Sequence, residues 1–128
     1  MKVLLVDDSS TMRRIQKNVL AKLGHTDIVE AEDGVAAQVK LEHTEVDLIL
    51  LDWNMPNMDG LTLLKSIRAC EQKRGMPLGE GVKVIMTTAL DDGENVFGAF
   101  KSGCEAYVVK PIDKNKLLEE VRNLALIE

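Results

Sequence analysis

Short apolar runs alternate five times with stretches whose apolar residues recur at helical spacing. The runs fall at residues 3–6, 27–30, 48–51, 82–86 and 106–109 and predict strands. Between the first two, Met12, Ile15, Val19, Leu20 and Leu23 recur three and four apart, the signature of an amphipathic helix, and Gly24 ends it. Asp33-Gly34 opens a weaker helical stretch that runs to about His43. Asp59 reads as the N-cap of a third, with Leu61, Leu64 and Ile67 on its inner face. Asp91 or Asp92 caps a fourth that carries Val96, Phe97 and Phe100 and stops at Gly103. Asp113 caps the last, with Leu117, Leu118, Val121, Leu124 and Ala125 inward.

The strands are apolar nearly throughout instead of alternating, which fits a parallel sheet covered on both faces. Strand–helix alternation with short connections predicts a parallel α/β fold, five strands flanked by five helices with right-handed crossovers. One segment breaks the pattern: residues 72–81 hold three glycines and a proline, and predict a long surface loop.

What stands at the carboxyl ends of the strands is chemically specific. The first run ends in Asp7-Asp8, the third in Asp52, the fifth in Lys110-Pro111. In an open parallel sheet, sites form in the crevice outside those ends. Three acids and one lysine would therefore meet at one sheet edge. Each has an ordinary explanation on its own. Asp7-Asp8 before Ser9-Ser10 can cap a helix, Lys110 can be a solvated lysine, and Thr88 can be a β-branched residue closing a strand. It is the set, all at strand ends of one topology, that points to divalent-cation and phosphoryl chemistry.

Like charges in one pocket raise a pKa or recruit a cation, and oxygen-only ligands suit Mg²⁺. The expected ligands are Asp8 and Asp52 directly, Asp7 through water, and the backbone carbonyl of Asn54. A carboxylate in such a pocket can attack phosphorus and form an aspartyl phosphate. Asp52 stands alone at its strand end, so it is the expected nucleophile. Lys110 would bind one phosphoryl oxygen and the Thr88 hydroxyl another, with Thr87 the competing hydroxyl. Lys110-Pro111 is a candidate cis peptide, since X-Pro bonds are where cis occurs.

Composition narrows the class. The chain has 128 residues, 45% hydrophobic, enough for one domain with a real core, and the expected unit is a single domain over 1–128. Aromatics are only 3%, so that core is aliphatic. A net charge of −5 argues against nucleic acid as the partner. Cys70 and Cys104 form no Cys-x-x-Cys pair and are expected to be reduced thiols. No charged segment followed by a long apolar one opens the chain, and no apolar stretch approaches the ~20 residues of a membrane span. The expected location is cytoplasmic.

Taken together, Asp7-Asp8, Asp52 followed by Trp-Asn-Met-Pro-Asn-Met-Asp-Gly, Thr88-Ala89 and Tyr107-Val-Val-Lys110-Pro111 resemble a response-regulator receiver domain over essentially the whole chain. The resemblance is to the single-domain chemotaxis type. It implies a flavodoxin-like sheet of strand order 2-1-3-4-5, an order the periodicity alone does not give. It implies that Asp52 accepts phosphate from a sensor histidine kinase or a histidine phosphotransfer protein, with Mg²⁺ on Asp7, Asp8, Asp52 and the Asn54 carbonyl. It also implies that Thr88 moves toward the phosphoryl group, that Tyr107 swings inward, and that the helix 4–strand 5–helix 5 face is read by a downstream protein. Such a protein is a signalling switch, not an enzyme, although it assists its own phosphotransfer and autodephosphorylation.

The chain departs from the chemotaxis type in places. Where those proteins carry lysines it reads Leu90-Asp91-Asp92-Gly93-Glu94 and Leu117-Leu118-Glu119-Glu120, an acidic output face that argues against a flagellar target. Leu90 replaces an acidic residue that influences hydrolysis, so an altered autodephosphorylation rate is expected. A second reading is a phosphorelay shuttle or phosphate sink. A haloacid-dehalogenase-type phosphatase wants a second acid two residues after its nucleophile, where this chain has Asn54. A flavodoxin would place a phosphate against Ser9-Ser10-Thr11, beside the repelling Asp7-Asp8.

Overall fold

The computed structural model describes residues 1–24, 27–55, 57–77, 79–89 and 93–124, with only the backbone for Gly93 and Glu94. Leu90, the proposed caps Asp91 and Asp92, and Ala125 lie outside the described residues. The order of elements is β1 (Lys2–Val6), α1 (Ser10–Leu20) with a 3-10 turn (Ala21–Leu23), β2 (Asp27–Ala31), α2 (Gly34–His43) and β3 (Leu48–Asp52). Then come α3 (Gly60–Lys73), β4 (Lys83–Thr88), α4 (Gly93–Lys101), β5 (Ala106–Val109) and α5 (Lys114–Asn123). The five strands are parallel, in the order β2-β1-β3-β4-β5.

Helix starts follow the capping chemistry of the sequence. The Ser9 hydroxyl accepts from the Met12 amide at 3.1 Å. Asp33 and Asp59 accept from Ala36 and Thr62, each at 2.8 Å, and Asp113 accepts from Asn115 at 2.8 Å. Each such cap contributes about 1 kcal/mol. The capping role at α1 thus belongs to Ser9, which leaves Asp7 and Asp8 for other work.

Pleating divides the core in two. Leu4, Val6, Ile49, Leu51, Val84 and Met86 pack with Ala37 of α2, Leu63, Leu64 and Ile67 of α3 and Ala99 of α4. Val3, Leu5, Leu48, Leu50, Ile85, Ala106 and Val108 face Val19 and Leu20 of α1 and Leu117, Leu118 and Val121 of α5. All of β3 is buried, as a central strand covered on both sides must be. The edge strand β2 is the polar exception.

Two expectations need adjusting. Ile15 fits the helical period yet is 40% exposed, and the inward residue beside it is Gln16. The fourth strand continues to Thr88, so both threonines belong to it and neither follows it. The Lys110–Pro111 peptide is cis, and Cys70 and Cys104 are free thiols, one exposed and one buried.

Candidate functional site

Residues two apart on a strand share a face. Counting outward from Leu5, Leu50, Ile85 and Val108, the next residues on the α1/α5 face are Asp7, Asp52, Thr87 and Lys110. The ladder extends just far enough to fix them. The Asp7 amide donates to the Ala31 carbonyl at 3.2 Å, Trp53 to Thr87 at 3.0 Å, and Lys110 to Thr88 at 2.7 Å.

The side chains then converge. Lys110 Nζ lies 3.0 Å from Asp52 Oδ1 and 3.3 Å from Asp7 Oδ2. Asp7 Oδ1 accepts from the Ser9 amide at 2.9 Å. Asp7 and Asp52 are buried, Asp52 being 3% exposed, and Asp8 stands at the exposed rim. Carboxylate oxygens of Asp7, Asp8 and Asp52 lie within 4.8 Å of one another. At that spacing each pair of ionised groups repels by about 3 kcal/mol at an effective dielectric of about 20.

These surroundings act on Asp52 and Lys110 in specific ways. Burial raises the Asp52 pKa; the hydrogen bond from Lys110 opposes this, and the charges of Asp7 and Asp8 add to it. For Lys110, burial disfavours the ammonium, but the hydrogen bond and charge of Asp52, with those of Asp7, outweigh it and raise the pKa. With all three acids ionised, one ammonium leaves two negative charges unbalanced. The donors are hard oxygens, partly open at Asp8, and such a set fits a divalent cation of the Mg²⁺ type. Asn54 lies two residues past Asp52, exposed on the loop leaving β3.

That loop is held close to the acid by two glycines. The Gly60 amide donates to the Trp53 carbonyl at 2.8 Å. A Cβ on Gly60 would overlap the Asp52 carbonyl oxygen. A Cβ on Gly34 would lie 2.9 Å from the Met58 side chain, so the loop packs directly on the start of α2. Asn57 takes a left-handed conformation at φ 69°.

Thr88, the expected site hydroxyl, and Thr87, its competitor, are both fully buried at the carboxyl end of β4. Thr87 is the Cα partner of Asp52. Its Oγ1 is buried and has no hydrogen-bond partner among the described residues, an unusual state for a polar atom. Thr88 shares the opposite pleat face with Tyr107, whose ring meets that of Trp53 edge-on at 6.5 Å. Thr88 is paired with Val109, next to Lys110, so both threonines stand at the strand end nearest the acids.

A cavity of about 700 Å³ lined by Val46, Asp47, Cys70, Met76 and Lys83 lies at the amino ends of β3 and β4, away from these acids.

A parallel 2-1-3-4-5 sheet with acids and a lysine at its carboxyl edge defines a class, and the sequence matches it. Residues 3–122 fit the response regulator receiver domain, and the chain belongs to that family. It is a signalling switch of two-component systems. Among individual proteins, it is similar to the chemotaxis protein CheY homolog of Campylobacter jejuni, with 43% identity over 125 residues, 97% of this chain and 92% of that protein. The Francisella response regulator 1452 receiver domain is 32% identical with a TM-score of 0.75, covering 96% of this chain and 94% of that one. Vibrio cholerae chemotaxis protein CheY4 is 29% identical with a TM-score of 0.81, covering 96% and 97%.

Proposed function

We propose that this chain, as one receiver domain over residues 1–128, takes a phosphoryl group on Asp52 from the phosphohistidine of a sensor kinase or histidine phosphotransfer protein. The observation that carries the reading is Asp52 itself: a carboxylate buried at a strand end, 3.0 Å from a lysine, with two further acids in reach. Its oxygen attacks phosphorus, the phosphorus–nitrogen bond breaks, and the imidazole leaves. Asp7, Asp8, Asp52 and the Asn54 carbonyl would hold Mg²⁺, which when bound supplies charge neutralisation for the phosphoryl oxygens. Lys110 leaves its salt bridge to hold one oxygen of the new phosphate. The Thr88 hydroxyl makes the second contact, with the unpartnered hydroxyl of Thr87, the Cα partner of Asp52, as its competitor. Tyr107, on the far face of β5, is the side chain we expect to repack when β4 adjusts.

The output surface of this reading is α4, β5 and α5. Phe97 is 69% exposed there, with Phe100 and Val109 also exposed, and such apolar side chains suit a protein partner. Glu119 is exposed on α5; the side chains of Asp91, Asp92 and Glu94 are outside the described residues. The names of the Campylobacter and Vibrio relatives support a chemotaxis role. The acidic sequence of the face favours a target other than the flagellar switch, or a phosphate sink. The reading places the protein in the cytoplasm, where such kinases present their phosphohistidine. No helix among the described residues is long and apolar enough to cross a membrane. The switch turns over only its own phosphate.

The test is labelling by acetyl phosphate with Mg²⁺, read by intact mass. One phosphoryl group is expected on the native chain and none on Asp52→Asn; equal labelling of the two would sink the assignment. Capture from lysate with and without beryllofluoride would then identify the partner.

A further inference from the structure

Asp7 has every polar group engaged. Its amide and both carboxylate oxygens are bonded as described, and its carbonyl accepts from Arg13 Nη1 at 2.6 Å. Arg13 belongs to the first turn of α1, and its side chain is largely buried. The same guanidinium donates from Nε to Glu30 Oε1 on β2 at 3.0 Å. Lys17, one turn on, reaches the other Glu30 oxygen at 3.3 Å. The carbonyl that Arg13 holds is one half of the Asp7–Asp8 peptide unit, so its grip fixes the plane from which the exposed Asp8 departs.

We propose that Arg13 is a positioning residue for the acid pocket, fixing the Asp7–Asp8 peptide for cation binding while Glu30 braces its guanidinium from the edge strand. This rests on the reading of the pocket as a Mg²⁺ site. Residues that orient ligands from behind commonly set metal affinity as strongly as some ligands do. Arginine is required by the geometry. A rigid fork donates from two nitrogens in two directions at once, to a carbonyl and to a carboxylate, which the single ammonium of lysine does not reproduce. The charge at the back of Asp7 also offsets part of the repulsion among the three acids. Glu30 responds to the pairing. Partial burial would raise its pKa, yet the hydrogen bonds from Arg13 and Lys17 prevail and lower it.

A plain structural tie between α1 and β2 would show the same distances, so the test separates stability from affinity. Mg²⁺ binding is measured by titration calorimetry on the whole chain, and melting is measured in EDTA. Arg13→Lys and Arg13→Met are each expected to weaken Mg²⁺ binding about tenfold. Glu30→Gln should lose less, because it keeps an acceptor for Nε. Lys17→Met, which touches Glu30 but not Asp7, should bind as the native chain does. If Arg13→Met does not fold, Arg13→Lys and Glu30→Gln carry the test. Native affinity in Arg13→Lys, with or without a lower melting point, overturns the proposal alone. A native chain that takes up no Mg²⁺ overturns the pocket reading and this proposal with it.

Discussion

Asp52 and Thr87 are directly paired across β3 and β4 and stand on the same face of the sheet as Lys110. The neighbouring Thr88, the expected phosphoryl contact, is just as buried. Thr87→Ala is therefore expected to slow labelling of Asp52 by acetyl phosphate about tenfold, less than the loss of a donor in a fully enclosed oxyanion site. Thr88→Ala is expected to slow labelling at least as much, and a native rate in Thr88→Ala would leave Thr87 as the contact. Time courses by intact mass decide it, and an unimpaired Thr87→Ala removes that hydroxyl from the chemistry.

Without a divalent cation, Asp52 should cost the fold stability at neutral pH. Its folded-state pKa is raised, by burial first and by Asp7 and Asp8, against the pull of Lys110. The native state then holds the proton more tightly than the unfolded chain. Stability falls as pH rises from the ordinary carboxylate pKa, about 4, through the raised value. In EDTA at neutral pH, Asp52→Asn should unfold at higher urea than native, and the advantage should vanish below the ordinary carboxylate range. A native chain more stable than Asp52→Asn at neutral pH in EDTA would contradict this.

Gly60 admits no side chain, because the Asp52 carbonyl occupies the place of its Cβ. Gly60→Ala has to push the start of α3 away from β3, at a cost of about 2 kcal/mol. Urea unfolding should register the loss. Labelling of Asp52 should fall as well, since the loop bearing Asn54 hangs from the same contact.

Arg68 joins elements that are remote in sequence. It donates to the Gly103 carbonyl at 2.7 Å, to the Val82 carbonyl at 2.8 Å, and to Glu71 and Glu105. Those two carboxylates also accept from the Val82 and Val84 amides. Arg68→Met strands two partly buried acids and should cost about 3 kcal/mol by chemical denaturation. A loss within experimental error would mean that solvent replaces the guanidinium freely.

The strands, the caps Asp33, Asp59 and Asp113, and the meeting of Asp7, Asp8, Asp52 and Lys110 were legible because each rests on local chemistry or on the direction of a parallel strand. The choice between Thr88 and its competitor Thr87 depends on a single residue of register. Nothing in Val-Ile-Met-Thr-Thr-Ala marks the last paired position, and a shift of one exchanges the faces of Thr87 and Thr88. Ile15 is where the periodicity misled. Its period is right, but the stripe that α1 buries is centred on Gln16, Val19 and Leu20. Arg68 carries one local signal, its i,i+3 pairing with Glu71, while its partners Gly103 and Glu105 lie 35 and 37 positions away.

Lys110 reaches Asp7 across 103 positions of the chain. A ribosome adding roughly 5–20 residues each second finishes the two acids that follow β1 about 5–20 seconds before it supplies their lysine. During that interval the nascent chain can pair its first strands, yet it has no ammonium between the carboxylates and no α5 to seal one layer. On the function proposed above, competence to receive a signal thus arrives only once the fifth strand is made. On that reading, a copy without Lys110 in place would stay silent, without any separate mechanism to silence it.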